Sequence, residues 1–294
     1  MALDLSIILA TRDRAELLDA ALASLAASCD AFDRDVEVIL ADNGSSDATA
    51  EVMQRWVRDR PHWRSIFVAE RGKARALNRA LREASAPLLL FTDDDVELPV
   101  DWVTRAVEFF HEHPEFGAAV GRVEPPRDVA DPEQLALAKH FGTLPLYDRG
   151  REIIDDTHLY GCNMGIRREV LDRVGPFDER LGPGASGLHE DGDMARRIHR
   201  SGFRIGYMPD TVVHHVIEPE RLNEEYFRNL HVRDARSRFV VDAPEGRTRA
   251  VRRLAGAWLT YGLWSACRNQ RRSMKAKARV ISHREYLRLF SEGS

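Results

Sequence analysis

Short apolar runs alternate with segments of helical periodicity through the first third of the chain. The runs contain almost no polar alternation, which is typical of strands buried on both faces. They predict strands at 6–10, 36–41, 65–69 and 87–92. Apolar residues between them recur every three or four positions and predict helices over about 17–25, 47–58 and 72–84. Strands and helices that alternate in this way predict an α/β fold whose parallel sheet is covered on both sides.

The remainder of the chain is less regular. A strand at 118–124 ends at Pro125-Pro126, and the glycine-rich stretch 181–187 predicts a loop. Further predicted elements are helices at 99–110, 131–142, 167–174 and 194–200, a loop at 143–158, a return to the sheet at 161–165, and two short strands within 204–216 separated at Pro209. After Pro219 the pattern predicts helices throughout.

Charge divides the chain unevenly. The formal net charge is −4, but residues 220–294 contain 17 Lys and Arg against 8 Asp and Glu, so that part carries +9 and residues 1–219 carry −13. We therefore predict an acidic α/β domain at 1–219 and a basic helical extension at 220–294. Charge alone leaves open whether the basic helices meet an anionic surface or only present solvated faces. The acidic body argues against a nucleic-acid partner.

A mostly apolar run of 14 residues, 254–267, lies within the extension and is bounded by arginines. It is too short to span a bilayer. It either lies in a membrane interface, with Trp258, Tyr261 and Trp264 as anchors, or packs as an ordinary helix on the domain or on a second copy in a homodimer.

The N-terminus has no charged segment before its first apolar run, so no signal peptide is expected. Three widely spaced cysteines without a CxxC pair favour a reducing cytoplasmic setting.

Polar loops follow three of the predicted parallel strands. The loops are Thr11-Arg12-Asp13, Asp42-Asn43-Gly44 and Asp93-Asp94-Asp95. Because ligands of such sheets bind at the carboxyl ends of the strands, we expect these side chains to form one site.

The aspartate triplet at 93–95 indicates a cation site. Three adjacent carboxylates repel one another and need a cation or strong hydrogen bonds. Alternate members, Asp93 and Asp95, suit a ribose and a hard divalent ion, Mn²⁺ or Mg²⁺, that also takes diphosphate oxygens. An acidic turn that caps the following helix is the simpler alternative.

Two further segments contain groups for catalysis. Glu190 and Asp191 open a helix after the glycine-rich loop, where one carboxylate would serve as a general base or both would only complement the helix dipole. Lys73 begins another helix, where cations are unfavourable unless an anion such as phosphate binds there. His214 and His215 end a strand, and either would suit a transition metal as ligand or simply lie at the surface.

Taken in order, these segments resemble the family 2 inverting glycosyltransferases of GT-A fold, a mainly parallel Rossmann-like sheet flanked by helices. The resemblance covers roughly residues 4–217 through LSIILATRDR, VILADNGSSDAT, RGKARALNRAL, LLLFTDDDV, GCNMGIRREVLDRVGPFDERLG, HEDGDMARRIHRSG and PDTVVHH. Each segment is weak evidence, whereas seven in the right order are strong evidence.

The resemblance implies a role for each matched residue. Thr11 and Arg12 would line the nucleotide pocket, and Asp42 would bind the base. Lys73 would contact the phosphates or the donor. Asp93 would approach the ribose, and Asp94 beside it would also belong to the nucleotide and donor site. Gly161 and Asn163 would lie near the donor sugar. Asp191 would be the general base, with Glu190 positioning donor or acceptor. Asp95 and a histidine would hold the metal, with His215 matching the family pattern better than His214.

The implied activity is transfer of a sugar from a nucleotide-diphosphate sugar, with a UDP-sugar as the expected donor, to a hydroxyl of a glycan or lipid-linked acceptor. Such an enzyme would act in polysaccharide or glycoconjugate synthesis, in the cytoplasm or at the inner face of the cell membrane. A sugar nucleotidyltransferase is the nearest alternative, but the loop ATRDRAE after the first strand lacks the glycines that it needs. A non-catalytic scaffold of the same fold would have lost the metal or base carboxylates, and all are present.

Overall fold

The computed structural model describes residues 4–127, 132–142, 145–241 and 247–292. The first part forms the predicted alternation of strands and helices: β1 (Leu5–Thr11), α1 (Ala15–Asp30), β2 (Glu37–Asp42), α2 (Thr49–Val57), β3 (Trp63–Phe67), α3 (Lys73–Glu83) and β4 (Leu88–Thr92). These four strands pair in parallel in the order β3-β2-β1-β4. The register aligns Thr11 with Asp42, so both strands end at the same level.

The sheet continues with strands of mixed direction. The elements are β5 (Val96–Glu97), α4 (Trp102–Glu112), β6 (Phe116–Glu124), α5 (Pro132–Phe141), β7 (Asp155–Asp156), β8 (Asn163–Arg167), α6 (Arg168–Val174), α7 (Glu190–Arg200) and β9 (Arg204–His215). β8 pairs antiparallel with both β4 and β6, while β9 runs parallel to β6. The full order is β3-β2-β1-β4-β8-β6-β9-β5, with β7 on β9. The predicted mixed α/β fold is thereby confirmed.

Alternate residues of the central strands face two apolar layers. Ile7 and Leu9 of β1 belong to a core that includes α1, α2 and α4, whereas Ile8 and Ala10 belong to a core that includes α3, α6 and α7. All seven residues of β1 are buried. Burial on both faces explains why the strand sequences show no polar alternation.

Two sequence predictions need correction, and a third is confirmed. One strand, Arg204–His215, replaces the two predicted within 204–216. Pro209 lies in an irregularity between the pairs Gly121–Met208 and Arg122–Val212, where a proline costs no ladder hydrogen bond. The predicted loop 143–158 contains β7, which pairs with the β9 edge; residues 143 and 144 lie outside the described residues. Helix α7 begins at Glu190, so Glu190 and Asp191 belong to its first turn, as predicted.

Contacts divide the chain into two compact units. The first comprises Met1–Arg127, Pro145–Glu179 and Glu190–Val216 and contains the sheet. The second comprises Asp128–Leu144, Arg180–His189 and Ile217–Ser294. The division into an acidic domain at 1–219 and a basic extension at 220–294 stays a prediction.

The second unit is helical over its described residues, apart from the 180–189 loop. After a 3-10 turn at Pro219–Arg221 come α8 (Glu224–Val241), α9 (Arg247–Ala266) and α10 (Gln270–Glu292), with α10 packed against both α8 and α9. The loop is tied to α8, since Leu188 N donates to Ser237 Oγ at 2.9 Å and His189 Nε2 lies 2.9 Å from Asp234 Oδ1. No helix among the described residues is long and apolar enough to cross a membrane.

Candidate active site

The carboxyl edge of β1, β2 and β4 brings polar side chains of the first unit together. The loops after these strands begin at Arg12, Asn43 and Asp93. The antiparallel strand β8 lies beside β4, so the segment before β8 reaches the same edge from the opposite direction. Helix α7 adds its first turn. Two clusters result. Each contains a cation among carboxylates, and both are largely shielded from solvent.

The first cluster surrounds Lys73. The Lys73 Nζ donates to Asp93 Oδ1 at 2.5 Å and lies 3.8 Å from Glu190 Oε1. A methyl group at Gly161 would lie 3.4 Å from the same nitrogen, so the glycine leaves room beside the ammonium. Asp191 is held by two backbone donors, Gly161 N at 3.2 Å and Gly192 N at 2.7 Å. The structure thus brings five predicted site residues into one cluster.

Burial and neighbouring charges act on these groups in opposite directions. Burial alone would lower the pKa of Lys73, but the charges of Asp93 and Glu190 outweigh it and raise that pKa, so the ammonium stays charged. Burial, reinforced by the charge of Asp191 and opposed by Lys73, raises the pKa of Glu190 to about 7. A carboxyl whose pKa is raised by burial beside a specific charge partner is characteristic of functional sites.

The second cluster surrounds Arg14. Its Nη1 donates to Asp94 Oδ1 at 2.8 Å and to Asp95 Oδ2 at 2.9 Å. Thr11 Oγ1 donates to the other oxygen of Asp94 at 2.6 Å. Burial, reinforced by Asp95 and opposed by Arg14, raises the pKa of Asp94 to about 6. One guanidinium thus compensates two adjacent buried carboxylates.

His215 faces this second cluster with its Nε2 atom. Its Nδ1 lies 2.9 Å from the carbonyl oxygen of Val216, which only accepts, so Nδ1 donates there. Its Nε2 lies 3.4 Å from Asp95 Oδ1. An imidazole nitrogen and a carboxylate oxygen, both of which are common metal-binding groups, therefore lie side by side at this edge.

His214 points elsewhere, because successive strand residues face opposite sides. Its Nδ1 donates to Pro125 O at 2.9 Å and lies 4.0 Å from Glu124 Oε2. The structure thus brings only His215 to the aspartate triplet.

No group of three His, Cys, Asp or Glu side chains suited to a metal ion occurs within the part of the chain that the structure describes. Asp95 and His215 are two side chains of types that bind divalent metals. Hard divalent ions commonly keep several waters or substrate phosphates and take only one or two protein carboxylates. The residues present therefore fit a metal that shares its coordination with a diphosphate.

Three predicted residues lie outside both clusters. Asp42 is buried at the end of β2 and accepts a hydrogen bond from Ser45 N at 2.8 Å, which stabilises the turn. Arg12 pairs with its exposed neighbour Asp13 at 3.1 Å. Asn163 is fully buried within the sheet, where its Nδ2 donates to two backbone carbonyls and its Oδ1 accepts from Trp102 Nε1. The contacts of Asn163 are therefore structural, and a role near the donor sugar stays a prediction.

Sequence reasoning missed two residues of the site. Arg14 follows the predicted loop 11–13 and is not among the predicted site residues, although a second arginine after a strand end is a visible signal. Asn43 links the β2 loop to the start of α3, since its Oδ1 accepts from Gly72 N at 2.7 Å and its Nδ2 donates to Glu70 O at 2.7 Å. Gly72 has φ +140°, which only glycine adopts readily, and this turn delivers Lys73.

Comparison with known proteins gives a consistent family. Residues 6–175 match the sequence model described as Glycosyl transferase family 2. Validoxylamine A glucosyltransferase of Streptomyces hygroscopicus subsp. jinggangensis (strain 5008) is 40% identical over 227 residues, which are 68% of this chain and 52% of the relative. The chain belongs to glycosyl transferase family 2, as its motifs predict. It spans about half the length of this curated relative.

Solved structures agree on the fold. The mannosyltransferase PcManGT from Pyrobaculum calidifontis, in complex with GDP-Man and Mn²⁺, superimposes with a TM-score of 0.59 and 22% identity, over 100% of this chain and 76% of that protein. TarS 1-349 of S. aureus in complex with UDP-GlcNAc gives 0.57 and 17%, over 99% of this chain and 93% of that one. These likenesses support a GT-A fold for the described residues.

Proposed function

We propose that this chain catalyses direct transfer of a sugar from a nucleotide-diphosphate sugar to an acceptor hydroxyl, with inversion at the anomeric carbon. The observation that carries the proposal is the pairing of a buried ammonium with the Asp93 and Glu190 carboxylates, with Asp191 in the same cluster, at the carboxyl edge of the sheet. Such an edge is where α/β sheets bind nucleotides. The family membership supports the same reaction class.

Asp191 is the proposed general base. Its two backbone hydrogen bonds, from Gly161 N and Gly192 N, orient the carboxylate while leaving lone pairs on both oxygens. It removes the proton of the acceptor hydroxyl as that oxygen attacks the anomeric carbon from the face opposite the diphosphate. The bond from the anomeric carbon to the diphosphate oxygen breaks in the same step, which inverts the configuration.

Lys73 compensates the charge that develops on the departing diphosphate. Its ammonium is already charged and held against Asp93, so little reorganisation accompanies the reaction. Asp95 and His215 would hold a divalent metal, which when bound adds further positive charge at the diphosphate. Glu190, which gains and loses a proton near neutral pH, orients the donor sugar or the acceptor.

The donor that we propose is a UDP-sugar, with a GDP-sugar as the alternative. PcManGT was solved with GDP-Man and TarS with UDP-GlcNAc, and both share this fold. The acceptor is proposed to be a glycan or lipid-linked hydroxyl on the cytoplasmic side. The catalytic function is assigned to residues 1–219.

The first experiment measures the unfolding temperature of the whole chain with UDP, GDP, dTDP or CDP, each with and without Mn²⁺. A ligand at 100 times its dissociation constant stabilises by about 2.7 kcal/mol, which is readily measured. We expect one nucleotide to stabilise the protein only with Mn²⁺, and Asp95→Ala to abolish that effect. Product analysis by NMR then tests inversion. Failure of all nucleotides to bind folded protein would contradict the proposal.

A further inference from the structure

Helix α9 has apolar residues on two opposite faces. Ala250 and Ala257 are buried, and α9 packs along α10. The other face is open to solvent: the exposed fractions are 50% for Val251, 51% for Trp258, 76% for Leu259 and 56% for Leu263. Spacings of four, seven and eight residues place these four side chains along one side of the helix. We call this set the α9 stripe.

The sequence around the α9 stripe contains cations and no anions. Between residues 247 and 284 there are 11 Lys and Arg and no Asp or Glu. Arg249 and Arg252 are exposed on α9, and Arg268 is exposed just beyond its end. A helix that combines an exposed apolar stripe containing Trp with flanking arginines is typical of segments that lie in a lipid interface.

This charge distribution favours an anionic lipid surface over a second copy of the chain as the partner that covers the α9 stripe. A second copy would bring two cationic segments together, and neither offers an anion within 247–284 to pair with the other's arginines. An anionic lipid surface buries the apolar side chains and attracts the arginines at once, with an electrostatic gain for each cation near the surface. Tryptophan is also enriched where hydrocarbon meets headgroups.

We propose that α9 docks in the plane of an anionic bilayer, with the α9 stripe at the acyl boundary and its arginines among the headgroups. This inference concerns the second unit alone and does not depend on the sugar-transfer proposal. It uses only the exposed residues of α9 and the charge of the surrounding sequence.

Vesicle co-sedimentation of the full chain tests it, with phosphatidylcholine vesicles that contain or lack phosphatidylglycerol. We expect binding only with phosphatidylglycerol, with weaker binding as salt rises from ~0.1 to ~0.5 M because headgroup attraction is screened. Leu259→Ser is expected to weaken binding by roughly tenfold or more, since one large apolar side chain leaves the interface. Because Leu259 is exposed, this change removes little packing, and circular dichroism checks that the helices persist.

Matched controls separate the stripe from general surface effects. Leu137→Ser removes another exposed leucine, 43% exposed on α5, and should leave binding unchanged. Arg249→Gln with Arg252→Gln should weaken binding by roughly fivefold per arginine. Arg58→Gln with Arg82→Gln removes the same charge from exposed positions in the first unit and should leave vesicle binding unchanged.

Three results would overturn the proposal. The first is equal binding to both vesicle types, and the second is binding that Leu259→Ser leaves intact. The third is a concentration-dependent dimer, measured by analytical ultracentrifugation without lipid, that Leu259→Ser dissociates while vesicles bind no protein. The nucleotide thermal-shift measurement is independent of all three, so failure of one proposal is distinguishable from failure of the other.

Discussion

The two charge clusters at the sheet edge both compensate buried carboxylates, but they do so with different cations. Around Lys73, one compact ammonium lies among carboxylates that come from a loop and from the first turn of α7. Around Arg14, a planar guanidinium bridges two adjacent carboxylates of a single loop. An ammonium is a compact charge that can turn to a new partner, whereas a guanidinium holds a fixed geometry. We infer that the Lys73 cluster serves the reacting groups and the Arg14 cluster serves the binding of the metal and nucleotide.

If the Lys73 cluster serves the reacting groups, the largest loss of activity is expected on replacement of Asp191. Asp191→Asn should lower kcat by ~10²–10⁴ because the amide accepts no proton from the acceptor hydroxyl. Nucleotide affinity should stay within about twofold, since the side chain keeps its shape and one carbonyl acceptor. Steady-state kinetics and nucleotide titration measure the two quantities. Asp155→Asn, an exposed carboxylate paired with Arg204, is the control and should change neither.

Replacement of the ammonium tests whether the first cluster supports the leaving group. Lys73→Gln should reduce kcat/KM by ~10²–10³, the usual cost of removing one group that stabilises developing charge. The matched change Arg75→Gln, two residues along α3, removes a half-exposed cation paired with Glu179 and should have little effect. An equal loss in both variants would show that general positive charge matters rather than the position of Lys73.

The affinity for Mn²⁺ should depend on the Arg14 cluster, which His215 faces, and not on the Lys73 cluster. His215→Gln is expected to weaken Mn²⁺ binding in the presence of nucleotide by roughly 10- to 100-fold, because the nitrogen facing Asp95 is lost. His214→Gln is a control one residue away on the opposite side of the strand and should bind Mn²⁺ normally. Isothermal titration of Mn²⁺ into each nucleotide-saturated variant gives the two affinities. The reverse ranking would assign the metal to the other face of β9.

The smallest expected effect is the pH dependence of stability from Glu190. Its pKa is about 7 in the folded protein and near 4.5 when unfolded, so the unfolded chain loses this proton first as pH rises. Stability from Glu190 is therefore complete below pH 4.5 and is lost as pH approaches 7. Relative to Glu190→Gln, the free energy of unfolding should fall by about 2 kcal/mol from pH 5 to pH 7. Urea unfolding at both values measures it; parallel curves for the two proteins would contradict the assigned pKa.

The sequence by itself determined the local architecture of the first unit. Apolar runs buried on both faces produced β1, β2 and β4 close to their predicted bounds, and strand direction then sent the aspartate triplet to the carboxyl edge. The carboxylates at 190 and 191 were also found from sequence, because their position before a helical pattern is a local signal. Periodicity and turn chemistry depend on neighbours a few residues apart, which the sequence displays directly.

Tertiary structure decided the pairings across long separations. Arg14 reaches Asp94 across 80 residues, and Asn43 sets the turn before Lys73 from 29 residues away. The register of β9 determines that His215, and not His214, faces the aspartate triplet. That register has an irregularity at Pro209, which could not be read from composition. The buried contacts of Asn163 likewise came from three separate segments. A charge buried in the fold selects its partner by distance in space, and only the packed sheet sets that distance.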